Sequence, residues 1–178
     1  MIIMAQSASL LLEHLHFKMQ TLKSLGFIPN MEKSTLIPSQ SILHLGFLWN
    51  SKDLTLSVPK DKITGLKNLC TQALSKSVSL RFLNKILGTV ESFKTGFPYA
   101  ALYYRGIQRD VAFHISNDFN WDDKIILSNL AISDLHWWIS CPVPLPAKSL
   151  TLFIPDIIIT TDSSESGRGA TSSNGVET

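Results

Sequence analysis

The chain has 178 residues, enough for one ordinary domain or two small ones, and its 44% hydrophobic content excludes a charge-rich disordered polypeptide. The longest apolar runs, such as Ile157-Ile158-Ile159, fall far short of the roughly 20 residues of a spanning helix. The formal charge of +2 hides an uneven spread: residues 59–94 carry seven Lys/Arg against two acids, and residues 95–178 carry five against nine. A basic middle of this kind points to a polyanion contact, with a merely solvated helix surface as the competing reading.

In chain order, Met1 to Ala5 reads as a short buried strand. Ala8, Leu12, Leu15, Met19 and Leu22 then alternate steps of four and three, which predicts a helix with Ser7 as N-cap and Gly26 just past its end. Strand-like pieces follow at Thr35 to Ile37, Ile42 to Trp49 and Leu54 to Val58, separated by turn-rich residues. Pro59 fits the first turn of a second helix, whose buried face is Ile63, Leu66, Cys70 and Ala73. A third opens at Ser79 and buries Leu83, Ile86, Leu87 and Val90. Phe97-Pro98 breaks it, Tyr99 to Ile115 resumes as helix or broken helix, and a last helix spans Trp121 to Ile139. Cys141 to Pro146 holds three prolines and reads as a linker. Ile157 to Thr161 reads as a buried strand ending in Asp162, followed by a Ser/Gly-rich run to Thr178 expected to be poorly ordered.

Several chemistries lack the residues they need. Cys70 and Cys141 are too far apart for a Cys-x-x-Cys pair, and none of the five histidines has a zinc-like partner spacing. Gly167-Arg168-Gly169 opens no recognisable phosphate-binding helix. The cysteine usage and the lack of a secretory pattern at the start imply an intracellular location, cytoplasm or nucleus.

Read in series, Leu25-Gly26-Phe27-Ile28-Pro29-Asn30-Met31-Glu32-Lys33-Ser34, then Leu45-Gly46-Phe47, the basic helices after Pro59, Trp137-Trp138, and Thr160-Thr161-Asp162-Ser163 with Gly167, Gly169 and Ala170 resemble the reverse transcriptases of retrotransposons, DIRS-like or gypsy-like. The resemblance implies an α+β fold. Residues 1–58 would be the end of the palm with its primer-grip hairpin, and 59–140 a helical thumb and connection. Residues 141–155 would be a linker, and 156–178 the start of an RNase H-like domain.

It also implies roles. A lysine at the place of Lys33 approaches the leaving pyrophosphate and serves as its general acid, because phosphoryl transfer builds charge that a cation stabilises. A plain surface lysine after a turn is the alternative. Leu45, Gly46 and Phe47 match the primer grip, where a glycine lets backbone approach the sugar-phosphate chain; a buried strand with a glycine bulge is the alternative. Lys60, Lys67, Arg81 and Lys85 would neutralise phosphates of a template-primer duplex, RNA–DNA or DNA–DNA, in a salt-sensitive way. Tyr103 and Tyr104 could touch nucleic acid, although core packing suits at least one, and Trp137-Trp138 reads as packing. Asp162 stands where an RNase H has the first of four carboxylates that hold two Mg²⁺ ions.

The same family needs a Tyr-x-Asp-Asp hairpin and a further aspartate to hold two Mg²⁺ ions for polymerisation. In relatives the residues just after Asp-Asp look like Ile2-Ile3-Met4-Ala5-Gln6-Ser7, so these carboxylates are expected upstream of this sequence. The expectation is a nucleic-acid-binding reverse-transcriptase fragment, inactive alone and without tight Mg²⁺. Its partners would be template-primer and the remainder of a polymerase, with no membrane. A stand-alone nucleic-acid-binding module and a helical protein-interaction scaffold are the alternatives.

Overall fold

A computed structural model describes residues 1–75, 77–117, 120–151, 155–165 and 167–172. The first helix, α1 (Ala8–Ser24), starts where the Ser7 hydroxyl accepts the Leu10 N–H at 3.2 Å. It stops at Gly26, whose φ of +82° suits a residue without Cβ. There the Gly26 N–H donates to the Lys23 carbonyl and the Phe27 N–H to the Leu22 carbonyl. These two bonds are the paired closure that satisfies the last carbonyls of a helix.

Strands β1 (Ser41–His44) and β2 (Phe47–Asn50) form a hairpin in which His44 faces Phe47. Leu45 and Gly46 make the turn with φ values of +49° and +80°, the sign that a type I′ hairpin turn has at both central positions. Strand β3 (Thr55–Ser57) adds to β2. Next come α2 (Lys60–Ser75), β4 (Val78–Ser79), α3 (Leu80–Phe93), a 3₁₀ turn at Pro98–Leu102 and α4 (Arg105–Ser116). The chain continues through β5 (Lys124–Ile125), α5 (Asn129–Ser140), β6 (Lys148–Ser149), β7 (Ile159–Ser164) and β8 (Gly167–Ser172). The first sheet runs β1-β2-β3-β6, and β4-β5 and β7-β8 are separate antiparallel pairs. The fold is α+β, as expected.

The core is helical. Ile63, Leu66, Cys70 and Ala73 of α2 are buried, the four residues that the helical spacing selects. Helix α3 contributes Leu80, Leu83, Ile86, Val90 and Phe93, with Leu87 only partly buried. Trp138 of α5 is fully buried and its indole N–H donates to the Tyr103 carbonyl at 2.6 Å. Helix α4 lacks a side-chain N-cap of its own. Asp134 of α5 takes over that task, accepting the Gly106 and Ile107 N–H groups at 2.7 and 3.2 Å. Burial holds the Asp134 carboxyl above its ordinary pKa, against the pull of those two N–H donors. No buried side-chain nitrogen or oxygen among the described residues lacks a hydrogen-bond partner.

Buried residues extend only from Leu56 to Leu145 among those described. The stripe on α1 forms as a stripe, but no residue of α1 is buried.

Several expectations are corrected. Met1 to Ala5 and Thr35 to Ile37 form no strand, since no described strand lies beside them to complete the backbone hydrogen bonds. Ile42 to Trp49 is two strands and a turn. Pro59 precedes α2, its carbonyl accepting the Ile63 N–H. The last helix starts at Asn129, where the Ser128 hydroxyl caps it; upstream, Lys124-Ile125 pairs with Val78-Ser79 instead. Lys148-Ser149, inside the expected linker, pairs with β3. Ile157, Ile158 and Ile159 are exposed rather than buried. Asp162 lies within β7 opposite Gly169, not at a strand end, and part of the Ser/Gly run forms β8. Lys76 and the tail after Ser172 lie outside the described residues.

Candidate nucleic-acid interface

The β1-β2 turn is held from two sides. Phe47 leans on the helical core at Gly96, where a Cβ would meet the Phe47 ring at 2.8 Å. From the other side the Lys62 ammonium lies 5.8 Å from the Phe47 ring centroid and against the space above Gly46. A cation over an aromatic face is attracted by the ring quadrupole. The turn therefore has an anchored base and a free tip, and Leu45 at that tip is 81% exposed.

The basic side chains expected to meet phosphate divide into three kinds. Lys60 and Lys85 are exposed and form no ion pair among the described residues. Arg81 makes a two-pronged contact with Asp122 at 2.9 and 3.1 Å, both partners being exposed. That hydrogen bond raises the Arg81 pKa and lowers that of Asp122. Lys67 is half-buried, and its ammonium donates to the Cys141 carbonyl at 2.5 Å, which ties α2 to the end of α5. A cation at a helix C-terminus also suits the dipole there. Lys94, meanwhile, pairs with Glu91 and sits over the Tyr104 ring.

Between α2 and α3 runs an open groove of about 600 Å³, lined in part by Lys62, Gly65, Leu69, Lys85, Gly88 and Thr89. Lys62 borders both this groove and the hairpin turn. It was absent from the residues that the sequence singles out. Its signal was its place one helical turn before Leu66, on the edge of the buried face.

Lys33 lies elsewhere. The turn that carries it is built by Asn30, whose side chain accepts the Lys33 N–H at 3.0 Å while its carbonyl accepts the Ser34 hydroxyl at 2.6 Å. Lys33 lines a second cavity, of about 570 Å³, together with Ile2, Ile3, Leu15 and Trp49. Asp162 belongs to the β7-β8 hairpin. No three His, Cys, Asp or Glu side chains among the described residues are grouped to hold a metal ion. The two-Mg²⁺ centre that the resemblance implies at Asp162 would need further carboxylates converging on it.

No protein-family model, no curated protein and no solved structure matches the chain.

The Tyr103-Tyr104 and Trp137-Trp138 pairs pack against the helical core. Tyr104 is buried, and Tyr103 stacks on Trp137 with centroids 3.6 Å apart. Trp137 also meets Phe97 in a near-parallel arrangement and Trp138 edge-on. These rings are committed to one another, so the exposed surface of the interface is set by the hairpin tip and the lysines. No helix of the described residues is long and apolar enough to cross a membrane.

Proposed function

We propose that this chain is the part of a retroelement reverse transcriptase that holds template-primer, comprising the end of the palm, the thumb and connection, and the start of an RNase H-like segment. Its task is to bind RNA–DNA or DNA duplex through the backbone, with polymerisation requiring carboxylates that the 178 residues do not supply. The observation that carries this reading is the convergence of the Leu45-Gly46 turn with Lys62 at the edge of the α2-α3 groove. An exposed turn next to lysines suits a grip on a sugar-phosphate chain, since phosphate contacts position a duplex without reading its sequence.

Two further features agree with it. Lys33 shares a cavity with Ile2 and Ile3, the residues that would follow the polymerase aspartates, so a general-acid lysine would stand near that site. The apolar side chains of α1 meet no buried core, which suits a segment completed by the remainder of a polymerase. Such a polymerase would supply the Mg²⁺ ligands.

A primer with a photoreactive group at its 3′ end tests the reading. Annealed to template and irradiated with the protein, it is expected to label a peptide containing Leu45, Gly46 and Phe47. Labelling confined to the β7-β8 hairpin, or none above that of a scrambled-sequence protein, would contradict the grip.

A further inference from the structure

Cys70 and Cys141 are the two cysteines of the chain, and both are free thiols. Far apart in sequence, they are brought together by the packing of α2 on α5. Lys67 fixes the approach. It stands one turn before Cys70 on α2, and its ammonium donates to the carbonyl of Cys141 itself. The end of α5 therefore lies against the turn of α2 that carries Cys70. Both thiols are closed into one core, Cys70 at 0% exposure and Cys141 at 4%. Burial raises the Cys70 pKa, and Cys141 is near enough to add to that rise.

A single buried cysteine is no more than a small apolar residue. Two that face each other across packed helices are different. Helix axes pack about 8–10 Å apart with Cα atoms about 2.3 Å off each axis, so facing Cα atoms come within the roughly 7 Å that a disulfide spans. The two thiols are also unequal. Cys141 closes α5 just before Pro142. Burial raises its pKa, and the Lys67 ammonium opposes that rise by favouring the thiolate. Cys70 has no such cation and is fully enclosed.

We propose that Cys70 and Cys141 form a peroxide-driven disulfide that locks α2 to the end of α5, with Cys141 oxidised first and Cys70 resolving it. The Cys141 sulfur attacks one oxygen of hydrogen peroxide, the O–O bond breaks, and the thiol proton leaves with the other oxygen as water. The Cys70 sulfur then attacks the sulfenic sulfur. The S–O bond breaks, and the Cys70 proton departs with that hydroxyl as a second water. The two sulfurs are oxidised and the peroxide is reduced to water. Fixed proximity offsets the low thiolate content of Cys70. The bond closes the chain from residue 70 to residue 141, around α3, α4 and α5. So long a loop strongly constrains the unfolded chain, and the oxidised form resists unfolding. The lock uses neither the hairpin tip nor Lys60, Lys62 or Lys85, so it stands apart from the nucleic-acid reading.

The test exposes the full 178-residue chain, native and reduced, to hydrogen peroxide, removes the peroxide, and then unfolds the protein with maleimide present. Intact mass should show a monomer that has lost two hydrogens and takes up no maleimide, and peptide mapping should join Cys70 to Cys141. The oxidised protein should melt about 10 °C higher than the reduced one, a gain that dithiothreitol abolishes. Cys70→Ala should show neither bond nor gain, with Cys141 carried on to sulfinic acid. Cys141→Ala should leave Cys70 open to maleimide after unfolding. Maleimide on both cysteines of the treated parent, or Cys141 as sulfinic acid beside a free Cys70, would overturn the proposal. So would a bond between two chains, a bond that forms only in denaturant, or an oxidised form that melts no higher. Oxidation of Cys70 in Cys141→Ala as fast as in the parent would overturn the order of the steps.

Discussion

The Lys62 ammonium lies against the backbone of Gly46, so that a helix of the core and the tip of a surface hairpin support one another. The contact joins the two parts of the chain that carry the candidate interface. It is available because position 46 has no side chain and the turn has positive φ at both central residues.

The turn holds one residue at odds with its backbone. Leu45 has φ of +49°, a region that a branched apolar side chain rarely adopts, and it is exposed at the same time. Backbone strain of this kind clusters at functional sites, and Leu54, with φ of +48° and an exposed side chain, shares it between β2 and β3. Leu45→Asn should relieve the strain and raise stability by about 1 kcal/mol, since asparagine tolerates this conformation. It should also weaken duplex binding. Thermal melts and anisotropy on the same sample check both, and tighter binding by the variant would count against the grip.

Gly106 is held to glycine for another reason. A Cβ there would press into backbone atoms of Leu130 and Ala131, which cannot swing aside as a side-chain tip can. It also sits in the turn whose N–H groups Asp134 accepts. Gly106→Ala should cost about 1–3 kcal/mol, the usual range for overpacking, and lower the melting temperature accordingly. A melt unchanged from the parent would show that α4 and α5 pack less closely than described.

Cys70 gives a pH test of the core. Burial, with a smaller contribution from Cys141, pushes its thiol up to about 12 from a value near 9. The unfolded chain would release that proton first, so the folded state binds more protons between those two values. Stability is then retained below about pH 9 and falls as pH rises toward 12. Denaturant melts from pH 8 to 11 should decline more steeply for the parent than for Cys70→Ala. The native thiol should also resist alkylation at pH 8, because the reactive thiolate is suppressed. Rapid native alkylation of Cys70 would contradict its burial.

The helical half was legible because its signals are local. The spacing of Ile63, Leu66, Cys70 and Ala73 names the buried face of α2, and Ser7, Ser79 and Gly26 mark helix ends by their own hydrogen-bonding and backbone chemistry. The strands were less so, because pairing is decided by distant partners. Lys124-Ile125 leaves the apparent helical run of residues 121–139 to pair with Val78-Ser79. By local pattern Leu45-Gly46 reads as the interior of a strand, because leucine occupies the place where Asn or Asp gives the usual hairpin signal, and only the resemblance implies a hairpin there. The run Ile157-Ile158-Ile159 suggested burial, yet no described layer covers it. In the interface, a count of positive charge could not separate Lys67, half-buried and hydrogen-bonded to the Cys141 carbonyl, from Lys85, which stays exposed. Nor could it mark Lys62, whose importance comes from standing at both the turn and the groove.

The salt dependence of duplex binding reaches the central claim most directly. With Lys60, Lys62 and Lys85 each neutralising one phosphate, the logarithm of the binding constant should fall against the logarithm of salt concentration with a slope of about −3. Replacing the three lysines by glutamine should bring that slope close to zero while the fold still melts cooperatively. A parent slope near zero, or a steep slope that survives in the triple variant, would show that these lysines do not hold nucleic acid.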